Sequence, residues 1–161
     1  MKIYLETTVL AALTYFRTVE KERYSSVSKL LEVCKKRGIV LIVSFYALHE
    51  IFLLAFDYFD KTAARKIGKH FVMKILSAEG VELTELLSRE KRLLYHSKFK
   101  MKDRTDIPHG ISAFVENCDY IITYDTHFDS ISHLIKVLTP EEFISDLFES
   151  ESSSKTGSKR N

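Results

Sequence analysis

Four acidic side chains stand where an apolar stretch of this chain begins or ends. Glu6 follows one apolar run, Glu50 ends a second, Asp106 opens a third and Asp125 follows a fourth. A half-buried carboxylate is costly unless something positive neutralises it. The four acids therefore predict either four separate salt bridges or one cation site, and the rest of the sequence favours the cation site.

Each acid also has a plainer local explanation. Glu6 could cap a following helix, and Glu50 could pair with a lysine. Asp106 could be an ordinary acid at a helix start, and Asp125 could be a turn residue. Each position taken singly leaves both explanations open, so the cation site is predicted by their order and context together.

Strand and helix signals alternate along the chain. Short β-branched and apolar runs predict strands at 2–5, 40–43, 81–83, 120–123 and 135–138. Caps, glycine stops and helical spacing predict helices at 7–16, 21–36, 44–55, 61–76, 88–101 and 106–117, with another from Pro140. Such alternation predicts an α/β fold, a parallel sheet with helices on both faces.

A parallel sheet would gather the acids at one edge, because sites in such sheets form at the carboxyl ends of the strands. Glu6 lies just past the first predicted strand and Asp125 just past the fourth. Glu50, on the helix after the second strand, could lean over the same edge. The helix start at Asp106 favours an ionised carboxylate. Four acids this close need a cation, and hard oxygen ligands suit Mg²⁺ or Mn²⁺.

The bulk composition is that of an ordinary globular protein. The chain has 161 residues, 45% hydrophobic and 29% charged, enough for one domain with a core. No apolar run approaches the roughly 18 residues of a membrane span, and Glu6 interrupts the apolar start, so neither a membrane association nor a signal peptide is expected. Cys34 and Cys118 are too few and too far apart for a zinc site or a disulfide framework, so the expected compartment is the reducing cytoplasm.

The charge is unevenly distributed along the chain. The formal net charge of +2 comes from residues 151–161, and the rest of the chain is neutral. The composition therefore does not indicate a globally basic nucleic-acid binder, and a polyanion would have to meet a local patch or a metal. From about Ser150 the chain is rich in serine and lacks apolar residues. We expect one domain over 1–148 and a disordered Ser/Lys-rich tail over 149–161.

Five segments, taken in order, carry a resemblance. They are Ile-Tyr-Leu-Glu-Thr-Thr-Val-Leu (3–10), Ser-Phe-Tyr-Ala-Leu-His-Glu-Ile (44–51), Asp-Ile-Pro-His-Gly-Ile-Ser-Ala (106–113), Asp-Tyr-Ile-Ile-Thr-Tyr-Asp-Thr-His-Phe (119–128) and Val-Leu-Thr-Pro-Glu-Glu-Phe (137–143). Together they resemble the PIN-domain ribonucleases of the VapC-like toxin type. The resemblance implies a three-layer, Rossmann-like α/β/α sandwich and an endoribonuclease that depends on Mg²⁺ or Mn²⁺. It also implies RNA as the substrate, a homodimer and, for a toxin, an antitoxin partner.

The resemblance makes the same four acids the catalytic metal ligands. The family usually carries Asp where this chain has Glu6, whose extra methylene moves the carboxylate by about one bond length. Three hydroxyls are expected around the ligands, those of Thr7, Thr8 and Thr123. Thr123 shares a strand face with Asp125 and could orient a metal-bound water or simply favour the strand.

Two histidines and a basic stretch remain open to more than one interpretation. His109, one helical turn past Asp106, could be a metal ligand, but a hydrogen bond to a neighbouring loop is the expectation. His127 is expected to close a loop. Four basic side chains precede Asp106, namely Lys98, Lys100, Lys102 and Arg104. They form either a solvated helix face or phosphate contacts to single-stranded RNA, whose unpaired bases could stack on interleaved aromatic residues.

Two other functions compete with a metal nuclease. The chain could be a catalytically weak PIN-like scaffold that binds RNA or a protein, which the replacement of Asp by Glu6 and the neutral body favour. A phosphotransferase or phosphatase with a nucleophilic acid ranks last, because such enzymes usually have a second acid two residues later, where this chain has Thr8.

Overall fold

The centre of the molecule is a five-stranded parallel sheet. The computed structural model describes residues 1–157, with side chains up to Glu149. The strands are β1 (Lys2–Leu5), β2 (Val40–Val43), β3 (Val81–Leu83), β4 (Tyr120–Ile122) and β5 (Lys136–Leu138). Their order is β3-β2-β1-β4-β5, and every neighbouring pair is parallel. The predicted α/β fold with a central parallel sheet is confirmed.

Seven α-helices and one 3₁₀ helix surround the sheet in the described part of the chain. The α-helices are α1 (Thr7–Thr14), α2 (Lys21–Arg37), α3 (Phe45–Tyr58), α4 (Lys61–Leu76), α5 (Arg89–His96), α6 (Ile107–Val115) and α7 (Pro140–Gly157). The 3₁₀ helix, Thr126–Ile131, lies between β4 and β5. The sequence did not predict it.

Both faces of the sheet are buried, which accounts for the near-continuous apolar strands. Ile3 and Leu5 point into a core built with α1, α2, α3 and α7, whereas Tyr4 points into a second core built largely with α6 and the 3₁₀ helix. This alternation along β1 is the period-two pattern of a strand. The three-layer α/β/α arrangement follows from helices that cover each face.

The carboxyl ends of β1 and β4 meet at the point where the strand order reverses. The chain runs from β1 to β2 on one side, and β4 later pairs with β1 on the other. Leu5 is in register with Ile122, and the Glu6 amide donates to the Ile122 carbonyl at 3.1 Å. Residues that directly follow these two strands are therefore neighbours, in the crevice where open α/β sheets place their sites.

Several predicted helix ends differ from the structure: α1 and α6 end two residues earlier than predicted, and α3 ends three residues later. The two largest differences have a physical reason. The helix predicted over 88–101 ends at His96, because Phe99 and Met101 are both buried in the second core, and a helix would point them in nearly opposite directions. Helix α7 continues to Gly157, into the predicted disordered tail, since its serine-rich end contains neither glycine nor proline before that residue. The last four tail residues lie outside the described residues.

Within the described residues, no helix is both long and apolar enough to cross a membrane.

Candidate metal centre

Glu6 is a buried carboxylate that caps α1 and receives three hydrogen bonds on one oxygen. Its Oε2 accepts from the Thr8 amide at 2.9 Å, the Thr8 hydroxyl at 2.5 Å and the Thr123 hydroxyl at 2.8 Å. The other oxygen, Oε1, accepts no hydrogen bond from the described residues. The side chain is 5% exposed, so Glu6 is held rigidly with one oxygen available to a ligand.

The two hydroxyls around Glu6 have fixed proton positions. Thr8 Oγ1 accepts the Tyr124 amide at 3.0 Å, and Thr123 Oγ1 accepts the Asp125 amide at 2.9 Å. Because each hydroxyl already accepts a backbone N–H, its own proton is donated to Glu6. The structure brings the hydroxyls of Thr8 and Thr123 together at Glu6, and their protons serve that carboxylate.

Asp106 is the least satisfied acid of the centre. It begins α6 without capping it, and its Oδ2 is buried and has no hydrogen-bond partner among the described residues. Burial, the charges of Asp103 and Asp125 and a weaker effect of Glu6 raise the pKa of Asp106 to about 6, against a lowering effect of His109. A buried carboxylate oxygen without a donor indicates that a positive group belongs beside it.

Asp125 and His127 face Asp106 from the other side of the crevice. Asp125 caps the 3₁₀ helix, since its Oδ1 accepts the His127 amide at 2.9 Å. The imidazole Nδ1 of His127 lies 3.5 Å from Asp125 Oδ1 and 3.7 Å from Asp106 Oδ2. One ligand atom from each of the three residues lies within 4.8 Å of the others. The sequence did not single out His127 for chemistry, although its Asp-x-His spacing after a strand was a readable signal.

Glu50 lies on the opposite flank, in a separate hydrogen-bonded chain. The Thr7 hydroxyl donates to its Oε2, and His109 Nε2 lies 3.2 Å from its Oε1. The Tyr4 hydroxyl lies 2.9 Å from His109 Nδ1 and 2.6 Å from Ser44 Oγ. The expected partner of His109 was a neighbouring loop; the structure instead joins it to β1 and α3.

One proton arrangement satisfies the hydrogen bonds of the whole chain. His109 Nε2–H donates to Glu50, so Nδ1 is the acceptor for the Tyr4 hydroxyl. Ser44 then donates to Tyr4, and Ser44 Oγ accepts the Ala47 amide at 3.2 Å. Burial favours a higher pKa for Glu50, but the His109 and Thr7 hydrogen bonds outweigh it, and its pKa is lowered. Glu50 is therefore an ionised acid with a fixed orientation.

The donor set fits a hard divalent cation. Three of the four acids influence one another around Asp106, and the fourth reaches them through Thr7, the residue next to Glu6. Carboxylate oxygens are the ligands that Mg²⁺ and Mn²⁺ prefer. The unpartnered Oδ2 of Asp106 is the observation that an added cation would explain.

A basic pocket adjoins the acids at the start of α6. Its volume is about 250 Å³, and its polar lining consists of Arg89, Arg92, His96 and Arg104. Among the described residues, these three arginines form no salt bridge. Of the four basic residues predicted for RNA, Arg104 lines this pocket, whereas Lys98 lies over the Tyr95 and Phe114 rings and Lys100 and Lys102 are exposed. The i, i+3, i+7 spacing of Arg89, Arg92 and His96 was the signal for this helix face.

The sequence profile of the PIN domain matches residues 2–127. The chain belongs to the PIN-domain family. No curated protein matches it. The PIN-domain fold also appears in two similar solved structures. VapBC2 from Rickettsia felis, bound to a DNA fragment from its promoter, is 18% identical with a TM-score of 0.61, and the match covers 86% of this chain and 98% of that one. VapBC-1 from nontypeable Haemophilus influenzae is 15% identical with a TM-score of 0.56, over 88% and 99%.

Proposed function

We propose that this PIN-domain protein is an endoribonuclease that depends on Mg²⁺ or Mn²⁺, with Glu6, Glu50, Asp106 and Asp125 as the catalytic acids. The observation that carries the proposal is the buried Asp106 Oδ2, which has no hydrogen-bond partner among the described residues and lies near a second aspartate. A carboxylate in that position raises the energy of the folded chain unless a cation neutralises it.

Asp106, Asp125 and Glu6 would hold the ion, with Glu50 beside them. When bound, such an ion supplies an activated water as nucleophile and positive charge for the phosphate. The protein's own contribution is positional. Thr8 and Thr123 lock one oxygen of Glu6, and Thr7 and His109 lock both oxygens of Glu50. A fixed ligand geometry is what catalysis at a metal requires of the surrounding chain.

The three arginines beside Asp106, which form no salt bridge with the described residues, would bind the RNA backbone. Guanidinium groups suit phosphate because they offer several donors in a planar fork. Their pocket shares Ile107 and Pro108 with the first turn of α6, directly after Asp106. Phosphates held there would bring a neighbouring phosphodiester to the acids, and a single strand fits a pocket of this size.

The biological role we propose is that of a cytoplasmic toxin restrained by an antitoxin, in a chain that forms homodimers. The toxin role is supported by the resemblance of the five segments to VapC-like toxins and by the likeness to the two VapBC structures. The dimer is supported by apolar side chains that α3 and its end leave exposed, Leu53, Phe56, Tyr58 and Phe59. Analytical ultracentrifugation of the isolated chain measures the oligomeric state.

The deciding experiment compares the wild type with Asp106→Asn. We expect the wild type to bind Mn²⁺ in calorimetry and to cleave single-stranded RNA, with both properties abolished in Asp106→Asn. The amide keeps the size of the side chain and removes its charge, so the fold is retained.

Asp60→Asn is the matched control. Asp60 caps α4 away from the acids, accepting the Thr62 and Ala63 amides at 2.9 and 3.1 Å, and asparagine caps a helix equally well. Metal-dependent cleavage that survives in pure Asp106→Asn would refute the proposal. A wild type without Mn²⁺ affinity would favour the scaffold function instead.

A further inference from the structure

The His127 imidazole points at two carboxylates without bonding to either. Its Nδ1 lies 3.5 Å from Asp125 Oδ1 and 3.7 Å from Asp106 Oδ2. Hydrogen bonds from nitrogen to oxygen span roughly 2.7–3.2 Å. The imidazole nitrogen is therefore close to both carboxylates without a hydrogen bond to either, and the Asp106 oxygen has no hydrogen-bond donor among the described residues.

The separations between these atoms match those of ligand atoms around one cation. Ligand atoms bound at roughly 2.1 Å to one ion lie about 3 Å apart at a right angle and about 4.2 Å apart when opposite. The two nitrogen–oxygen separations fall between these limits. One ligand atom from each residue fits within a 4.8 Å span, so a slight contraction would bring all three to one ion.

The backbone already holds His127 in place for this role. Asp125 caps the 3₁₀ helix by accepting the His127 amide at 2.9 Å, which fixes the two side chains on one turn. This bond occupies one lone pair of Asp125 Oδ1 and leaves others free. The imidazole is about half exposed. It is therefore free to rotate toward a bound ion.

We propose that His127 Nδ1 is a ligand of the same ion as Asp106 and Asp125, and that this nitrogen makes the centre selective for Mn²⁺ over Mg²⁺. The inference rests on the proposed function. Mg²⁺ takes oxygen ligands almost exclusively, whereas first-row transition ions also accept imidazole. Of those ions, Mn²⁺ is the one that also favours carboxylates.

Pulsed electron paramagnetic resonance of the Mn²⁺ complex tests the nitrogen directly. We expect the wild type to show a ¹⁴N coupling that becomes ¹⁵N when the histidines are labelled. His127→Gln should lose this coupling, because glutamine offers an oxygen. His133→Gln, an exposed histidine on the same segment, is the matched control and should retain it.

Calorimetry at about pH 8, where imidazole is neutral, tests the selectivity. His127→Gln should weaken Mn²⁺ binding about tenfold or more and change Mg²⁺ binding much less. Circular dichroism in EDTA checks that His127→Gln is folded. The paramagnetic resonance spectrum of the wild type tests the histidine ligand even if the variant does not fold.

Two results would overturn the proposal. If the wild type binds Mn²⁺ without a histidine coupling, or His127→Gln binds it equally tightly, His127 is a neighbour of the two aspartates and not a ligand. Either result leaves the metal nuclease intact. A wild type that binds no Mn²⁺ removes the proposed function together with this inference.

Discussion

Asp106 holds its proton more tightly in the folded metal-free chain than in the unfolded one. Burial and the neighbouring acids raise its pKa from 3.8 to about 6. Its contribution to stability is therefore full below pH 3.8, the ordinary pKa, and is lost as the pH rises through the raised pKa of about 6. We therefore expect Asp106→Asn to stabilise the metal-free protein at about pH 8 by about 1–2 kcal/mol and to change it little at about pH 4. Urea unfolding in EDTA measures the difference.

A second variant, measured at the same two pH values, is the control. Asp60→Asn, at an exposed cap of α4, controls for the replacement of an aspartate by asparagine. An Asp106→Asn effect that is equal at both pH values would contradict the raised pKa. Adding Mn²⁺ should reverse the ranking at about pH 8, since only the wild type gains binding energy.

Tyr4 secures the histidine that orients Glu50. Tyr4→Phe keeps the ring but removes the hydroxyl that bonds to His109 Nδ1 and Ser44 Oγ. Two buried polar atoms lose a partner, so we expect unfolding to become easier by about 1–3 kcal/mol. RNA cleavage should also fall, because Glu50 loses its fixed partner.

Tyr46→Phe is the comparison for that measurement. The Tyr46 ring packs 6.1 Å from the His109 ring, and its hydroxyl makes no hydrogen bond to the described residues. Its removal should leave stability within about 0.5 kcal/mol. Equal effects of the two variants would show that the hydrogen-bonded chain contributes nothing.

The sequence predicts the positions of some of these side chains and not of others, for a physical reason. Glu6 and Thr123 can be placed together because both follow adjacent parallel strands. His127 cannot, since its position depends on a 3₁₀ turn that leaves no periodic pattern in the sequence. The metal-ligand roles of the four acids stay predictions, which the Mn²⁺ measurements test.

Helices α3 and α4 pack closely at one glycine. A Cβ on Gly68 would lie 2.8 Å from the Phe52 carbonyl oxygen and 2.9 Å from its ring. Alanine favours a helix over glycine by about 1 kcal/mol, but here it would push against backbone. We expect Gly68→Ala to destabilise the protein by about 1–2 kcal/mol in urea unfolding.

An exposed neighbour on α4 separates packing from helix propensity. Lys69→Ala should change stability by no more than about 0.5 kcal/mol. A stabilising effect of Gly68→Ala would show that α3 and α4 do not pack as closely at this glycine as the structure has them.

Elements with a strong repeating pattern were predictable from sequence. The α4 boundaries were predicted to the residue, because Asp60 caps the helix and the pattern stays amphipathic to Leu76. The helix predicted over 88–101 was too long, because Phe99 is buried against Phe114 of α6. This contact joins residues that are too far apart in sequence to meet within one helix. Tertiary contacts of this kind override local propensity.

Over the entire chain, charge is too evenly balanced to attract RNA by itself, so binding must come from a local patch. The three arginines of the basic pocket are that patch. We expect Arg92→Gln to weaken binding of a single-stranded RNA roughly fivefold at low salt, with a salt dependence shallower by roughly 0.7 in slope. Fluorescence anisotropy in EDTA, which prevents metal-dependent cleavage, measures both.

Lys29→Gln is the charge-matched control, because Lys29 is an exposed cation on α2, which packs on the other face of the sheet. It should leave affinity and slope nearly unchanged. Equal losses in both variants would mean that RNA responds to net charge and that the pocket is not a specific contact.

The strand order has a consequence for the timing of synthesis. The ribosome makes β1, β2 and β3 first, and these three can pair before β4 exists. Asp106 and Asp125 emerge much later, and β4 must dock on the far side of β1 before they face Glu6. A nascent chain can therefore pair three of its five strands before the acids are assembled. Under the proposed ribonuclease function, the catalytic acids would come together only when translation of the chain is nearly complete.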